Sequence, residues 1–422
     1  MTAAAASALF LTSGCAGSAQ PDTGVTPSTP EASAAAACVA DPRAVAGTPL
    51  PSTARDPLAA DLAAKLDAAA SASASAIAAP GAVVGVQTPE GTWFAAYGDA
   101  DPTAGAAMTT DVHQRIGSVT KTFTGTIVLQ LAEEGLLSLD DPIEQYIGGV
   151  PNGDEITLRL MLDMTSGITS YSLDDQFQQE LFADHARVWT PEELTEIGLK
   201  LSPKFAPGAQ FDYSNTNFVM LGMVIEQVTG QPFHEVVRER ITAPLGLLET
   251  RMPPATDVSI GTPFARGFTM QGTAEGATEA VDATDWSPTS AFTAGQMIST
   301  VPDLLAYGRA LGTGQGLLGV DAQVERLAAT GSGGYGLAGG CIDGWFGHTG
   351  ELPGYNTSVF YDTTTDTTVV VATNSDIPTG QCTESKMLPD GASDEPCMDP
   401  ATRVFVALAD ALGHPFTPNP MQ

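Results

Sequence analysis

Strand-like segments stand near both ends of this chain, and they limit how it can fold more than any other feature. Ala82–Gln87 and Thr92–Tyr97 flank Pro89-Glu90-Gly91 as a hairpin, whereas Trp345–Thr349, Thr357–Tyr361 and Thr368–Ala372 lie toward the other end. From Gly135 to about residue 294 the signals are mostly helices and loops. Segments so far apart are expected to complete one mixed sheet, with the helical stretch inserted as a lobe. The cleft between the lobes is then the natural place for a site.

Several helices can be bounded from their ends. Leu58, Leu62 and Leu66 predict a helix over about 58–77. Asp141-Pro142 reads as an N-cap followed by proline at the first helical position, and Thr157–Met164 as a short helix ended by Thr165-Ser166-Gly167. Thr190-Pro191-Glu192-Glu193 is a capping box, and Phe218–Val228 is an apolar helix stopped by Gly230. Residues 254–294 read as loop. Helices are expected again over Val301–Leu311, with Asp303 in the first turn, and over about Ala401–Ala411. Cys382–Cys397 looks like a polar excursion before that last helix.

Composition narrows the class. A chain of 422 residues with 43% hydrophobic content can bury a large core. Its net charge of −32 argues against nucleic acid and against anionic membrane surfaces. The acid is scattered in pairs such as Glu133-Glu134 and Asp174-Asp175, as on a solvated surface. The five histidines are isolated and no C-x-x-C or H-E-x-x-H occurs, so no metal or other cofactor is implied.

The N-terminal stretch reads as three pieces. Residues 1–15 carry an apolar Ala/Leu/Phe run ending Leu11-Thr12-Ser13-Gly14-Cys15, which resembles a secretory signal with a lipoprotein cleavage site at which Cys15 is acylated. Residues 16–56, rich in Ala, Ser, Thr and Pro, read as a flexible tether, with Cys38 placed to staple part of it back. The body follows at 57–422, as an α/β lobe of 57–135 and 295–422 and a helical lobe of 136–294. No other segment approaches the ~20 apolar residues of a membrane span, so a lipid on Cys15 is the one membrane link expected. Cys38, Cys341, Cys382 and Cys397 suit disulfides in an exported chain, with three connectivities open.

Chemistry concentrates at three places. Ser118-Val119-Thr120-Lys121 heads a helix marked by Phe123, Ile127, Val128 and Leu131 and stopped by Gly135. Residues three apart share a helix face, so the hydroxyl can meet the amine, and burial can make that amine a base. The plainer reading is a helix-capping serine with a solvated lysine. Tyr213-Ser214-Asn215 lies on a loop before the Phe218 helix, where tyrosine can relay a proton and asparagine can hold an amide, or where the polar residues simply cap the helix. His348-Thr349-Gly350 ends a strand ahead of a turn that begins at Glu351. Gly350 would admit a substrate close to the backbone, and an edge strand there could pair with an extended substrate. The alternative is a strand end with a half-buried histidine. The G-x-G-x-x-G matches at Gly314–Gly319 and Gly331–Gly336 neither follow a strand nor open a helix, and no G-x-S-x-G occurs.

Taken in order, S-x-x-K, Tyr-x-Asn and His-Thr-Gly resemble the signature of the serine beta-lactamase-like superfamily, which includes penicillin-binding D-alanyl-D-alanine peptidases, class C beta-lactamases and related esterases. The likeness covers roughly residues 58–412. It implies an α+β fold whose antiparallel sheet is built from both chain ends and flanked by helices, with an inserted mostly helical lobe. It also implies an acyl-enzyme on Ser118, with Lys121 taking the serine proton and Tyr213 handing one to the leaving group. Asn215, His348, Thr349, Gly350 and Glu351 would then bind substrate, the backbone N–H groups of Ser118 and Glu351 forming the oxyanion hole. The expected substrate is a small molecule or peptide bearing a D-peptide, ester or lactam, and the expected state is a monomer. Carboxypeptidases of this type hold a terminal carboxylate with an arginine before the His-Thr-Gly strand and a hydroxyl after it. Here Tyr335–Phe346 has no arginine and Glu351 replaces the hydroxyl, so an esterase, an amidase acting on uncharged ends or a D-peptidase using another cation stand beside it. A sensor that acylates with penicillin without turnover is the alternative of a different class.

Overall fold

The computed structural model describes residues 37–418 apart from 275, 331–333, 383–386 and 390. Cys15, the tether up to residue 36 and Gly331 lie outside the described residues. The rest of the tether stretch, 37–56, packs on the body. Val39, Val45 and Ala54 are buried, Arg43 pairs with Asp321, and Cys38 is disulfide-bonded to Cys341 with Cα atoms 6.0 Å apart. A second disulfide, Cys382–Cys397, closes the polar excursion after the last strand.

Among the described residues the main sheet has eight strands: β1 Gly81–Thr88, β2 Gly91–Asp101, β3 Ala106–Ala107, β4 Tyr335–Gly336, β5 Gly339–Ile342, β6 Trp345–Leu352, β7 Tyr355–Asp362 and β8 Thr367–Thr373. They lie in the order β3-β2-β1-β8-β7-β6-β5-β4, every pair antiparallel. The seam between the chain ends is β1 on β8, with Ala82 opposite Thr373 and Gln87 opposite Thr368. The sheet is therefore antiparallel, as the family likeness implies, and not mixed. Each end folds back on itself through hairpins, which join neighbours antiparallel without a crossover.

Alternate residues of the central strands feed two cores. Val83, Val359, Val370 and Ala372 face one, while Val84, Val86, Phe360, Val369 and Val371 face the other. Burial on both faces explains why these strands read as β-branched runs. The second core is closed by α1 (Ala60–Ala74) and by a C-terminal helix, Pro400–Leu412, whose Phe405 packs against Trp345, Phe360 and Phe416. On the first face lie α2 (Thr120–Glu133) and, further along the chain, Val301–Thr313, which is N-capped by Thr300. Between them in sequence come α3 (Asp175–Ala183), α4 (Pro191–Lys200), capped by the expected box at Thr190, and α5 (Asn215–Thr229), stopped by left-handed Gly230.

The Asp141-Pro142 cap is not built. Pro142 opens a single 3₁₀ turn, Ile143–Gln145, and the Asp141 carboxylate instead accepts from the Tyr146 hydroxyl and from Ser138 N, both at 2.7 Å. In α2, Phe123, Ile127, Val128 and Leu131 are buried as the spacing predicts, but so are Thr122, Thr124 and Thr126. The helix is enclosed all round, because each threonine hydroxyl donates to a backbone carbonyl of an earlier residue: Val119, Thr120 and Thr122 respectively.

Candidate active site

The site begins where a 3₁₀ turn, Gly117–Val119, runs into α2. Ser118 sits on that turn, partly exposed, and Lys121 one turn later is fully buried. Lys121 Nζ lies 3.0 Å from Ser118 Oγ and donates to the Ala294 carbonyl at 2.7 Å. No carboxylate pairs with this amine among the described residues. Burial without a counter-charge favours the neutral amine and holds its pKa well below the ordinary lysine value. A neutral amine has a lone pair with which to accept a hydroxyl proton.

Tyr213 comes from the loop before α5, its ring centroid 4.9 Å from Lys121 Nζ. Its hydroxyl is enclosed and makes no well-formed hydrogen bond. Burial pushes its pKa above the ordinary tyrosine value against an opposing pull from the Ser118 hydroxyl beside it, so the phenol keeps its proton. A neutral amine and a protonated phenol thus flank one serine.

Asn215 is the first residue of α5. Its N–H donates to Ser170 Oγ at 3.1 Å and its Nδ2 to Ser172 Oγ at 3.3 Å. Ser166 Oγ in turn donates to Asn217, and the Thr216 hydroxyl to the Thr169 carbonyl. The loop after Thr165-Ser166-Gly167 is thereby tied to the start of the helix carrying Asn215, which neither motif revealed by itself.

β6 brings in the third group. His348 is 7% exposed, and its Nδ1 contacts the Thr349 carbonyl. A carbonyl can only accept, so Nδ1 carries the hydrogen, and Nε2 accepts from the Tyr335 hydroxyl at 3.0 Å. Burial, reinforced by Lys121 whenever that amine is charged, lowers the His348 pKa to about 3 against an upward pull from the Thr349 carbonyl. This histidine is neutral near pH 7 and brings no positive charge. Tyr335, given no role at the site by the sequence, packs edge-on to both Tyr213 and His348.

Gly350 admits the protein's own backbone, not a substrate. A Cβ there would fall 2.0 Å from the Ile116 carbonyl oxygen and 3.0 Å from Ser118 N; one on Gly117, at φ +49°, would fall 2.4 Å from Glu351 N. Glycine at 350 lets β6 close on the Ser118 turn, so the close approach is made by the protein's own backbone. It makes neighbours of the Ser118 and Glu351 N–H groups. β6 is an edge only in part: β5 covers Trp345, Phe346 and Gly347. That cover stops short of His348, leaving the stretch from His348 to Leu352 without a strand on its outer side among the described residues.

Alongside runs a cavity of about 760 Å³, lined by Ser172, Glu351 and residues of α3 and of the Met270–Thr273 loop. Glu351 is exposed along it, although protein surrounds the position on most sides. That depth, with Asp399 and Asp376 nearby, raises its carboxyl well above the usual range. No lysine or arginine lines the cavity among the described residues.

A serine, an amine and a phenol meeting between a large antiparallel sheet and a helical segment define a fold class built for acyl transfer. The Beta-lactamase family model matches residues 59–384, and the chain belongs to that family. It is similar to a D-stereospecific amidohydrolase from Streptomyces sp., with 33% identity, a TM-score of 0.67, and coverage of 74% of this chain and 94% of that one. It is also similar to the D-amino acid amidase from Ochrobactrum anthropi SV3 in complex with L-phenylalanine amide, with 25% identity, a TM-score of 0.69, and coverage of 84% and 100%. The D-alanyl-D-alanine-carboxypeptidase/endopeptidase AmpH of Escherichia coli (strain K12) matches at 31% identity over 39% of this chain and 43% of its own. Penicillin-binding protein 4 of Amycolatopsis lactamdurans matches at 27% over 49% and 52%, so the chain spans about half the length of these curated relatives.

Proposed function

We propose that the protein is an exported serine amidohydrolase, cleaving short amide or peptide bonds next to a D-amino acid through an acyl-enzyme on Ser118. The observation that carries this reading is the buried Lys121 amine 3.0 Å from Ser118 Oγ, paired with no carboxylate among the described residues. Lys121 accepts the hydroxyl proton as Ser118 Oγ bonds to the carbonyl carbon. The oxyanion is held by the N–H groups of Ser118 and Glu351, each such donor worth about 3 kcal/mol in comparable sites. The C–N bond then breaks as Tyr213 protonates the departing amine, and Lys121 returns the proton to the phenol. Water cleaves the ester in the second half. Asn215 orients the substrate amide, while neutral His348 fixes Tyr335 beside Tyr213.

The amidase reading is preferred over a carboxypeptidase because the groups gathered on the leaving-group side, Tyr213, Tyr335 and His348, are uncharged and, among the described residues, offer no cation for a terminal carboxylate. The two disulfides suit an oxidising compartment. The test is a hydrolysis screen of D-alanine anilide, D-alanyl-D-alanine peptides, nitrocefin and short-chain nitrophenyl esters, with wild type and Ser118→Ala. Anilide and ester turnover lost in Ser118→Ala is expected. Turnover that persists in Ser118→Ala removes the nucleophile, and a stable penicillin adduct without turnover of any substrate would make the protein a sensor.

A further inference from the structure

The cleft beyond the oxyanion pair is lined by four carboxyls: Asp175 on α3, and three more gathered from distant parts of the chain. Glu351 is on β6, Asp376 follows β8, and Asp399 precedes the Pro400–Leu412 helix; all three line the same cavity. Gln271 Nε2 bridges two of them, donating to Glu351 Oε1 at 2.9 Å and to Asp376 Oδ2 at 2.6 Å. Thr269 Oγ1 and Gly354 N also donate to Asp376. Every one of these partners is neutral.

Asp399 supplies the observation that goes beyond an acidic cluster. It stands at a helix N-cap followed by proline, where an aspartate ordinarily accepts from the backbone of the first turn. Its side chain makes no capping bond, and its buried Oδ1 has no hydrogen-bond partner among the described residues. A buried, unpartnered carboxylate oxygen costs free energy that nothing in the protein returns. Burial, then repulsion from Asp376, raises its pKa to about 6. The cluster lacks a positive charge, and the protein provides none among the residues lining the cavity.

Which end of a substrate reaches it follows from the mechanism proposed above, on which this inference rests. Tyr213, the donor to the leaving group, clusters with Tyr335 and His348. Glu351 lies past Gly350 in the other direction along β6, so the acyl portion runs toward the carboxyls. We propose that this cleft binds the free ammonium of the substrate's acyl residue, with Glu351 as the contacting carboxylate and Asp376 and Asp399 behind it as the supporting negative field. The substrate class is then N-unblocked D-aminoacyl amides and short peptides, and Glu351 and Asp399 are specificity-determining residues.

The experiment compares kcat/KM on D-alanine para-nitroanilide with that on its N-acetyl derivative, using wild type, Glu351→Gln and Asp399→Asn. One charge-assisted contact predicts a preference for the free amine on the order of tenfold to a hundredfold. Both variants should shrink that ratio, chiefly by raising KM for the free amine. Wild type hydrolysing the acetylated anilide equally well, or an unchanged ratio in both variants, overturns the proposal. Because the wild-type comparison needs no variant, a misfolded substitution does not blunt it. Nitrophenyl-ester turnover abolished by Ser118→Ala, without amine preference, sinks this inference alone; turnover independent of Ser118 sinks the underlying mechanism as well.

Discussion

The Ala294 carbonyl accepts a hydrogen bond from Lys121 Nζ at 2.7 Å, and this contact decides how the amine behaves. It occupies one N–H of a neutral amine and fixes the nitrogen 3.0 Å from Ser118 Oγ. Ala294 ends a single 3₁₀ turn, Phe292–Ala294, in a stretch of short elements, and nothing in its sequence marks it as part of a site.

Lys121→Met keeps the length of the side chain and removes the base. Hydrolysis of a nitrophenyl ester should fall by about 10²–10⁴-fold, the usual contribution of a positioned base. Urea unfolding at pH 7 should show equal or greater stability, because burying the amine disfavours its charged form.

The pH dependence follows with a definite sign. Lys121 has a lowered pKa in the folded chain, whereas the unfolded chain holds that proton up to the ordinary lysine value. Below the folded pKa the amine is protonated and cannot accept from Ser118, so kcat/KM rises with pH through that value. Stability contributed at this position likewise falls as pH drops, since the unfolded state binds the extra proton. Tyr213 is held above the ordinary tyrosine range, so it adds no falling limb to a pH–rate profile at neutral pH. An acid limb that shifts to lower pH on warming, as amine ionisation requires, and vanishes in Lys121→Met would fit; a limb unchanged in Lys121→Met would not.

Gly350→Ala tests the oxyanion pair. The added methyl would stand 2.0 Å from the Ile116 carbonyl, forcing β6 away from the Ser118 turn. Loss of one donor's alignment predicts a drop in kcat of about 10²–10³-fold, with a stability cost of about 1–3 kcal/mol from overpacking. Stopped-flow acylation and thermal unfolding separate the two effects.

Arg326 is fully buried, with NH2 donating to Thr126 Oγ1 at 2.8 Å while Nε and NH1 have no partner among the described residues. Burial lowers its pKa to about 10 despite opposing pulls from Tyr307 and Glu133. Arg326→Met should leave stability unchanged or raise it by about 1 kcal/mol or more, as for other buried charges replaced by apolar groups. A large loss of stability in urea would show instead that the guanidinium is held by contacts not yet accounted for.

The Cys38–Cys341 disulfide ties residues 37–56 to β5, next to the strand that bears His348. Opening it in Cys38→Ser should cost about 2–5 kcal/mol. Limited proteolysis of residues 37–56 is the direct readout, and an unchanged cleavage pattern would count against the staple.

Much of this was legible in the chain itself. Ser118 and Lys121 meet because helical spacing puts residues three apart on one face, and burial of Phe123, Ile127 and Leu131 fixes which face that is. The capping box at Thr190, the glycine stops and the β-branched strands are local signals, set by backbone sterics and side-chain hydrogen bonding within a few residues. Asp141-Pro142 shows how such a signal fails: the carboxylate finds Tyr146 instead, and a competing partner wins. At Asp399-Pro400 the cap is also unmade, but without a competitor: the buried Oδ1 has no partner among the described residues.

By itself, then, the order of residues determined the helix carrying the reactive pair, the strands at both ends and the family to which they belong, because each depends on periodicity or on a short motif. Only the tertiary structure decided that Ala294 holds the lysine, that β6 closes on the Ser118 turn through Gly350, and that Glu351, Asp376 and Asp399 share one cleft. Those are contacts between segments far apart in the chain. They are chosen by how whole elements pack, and no local pattern records that choice.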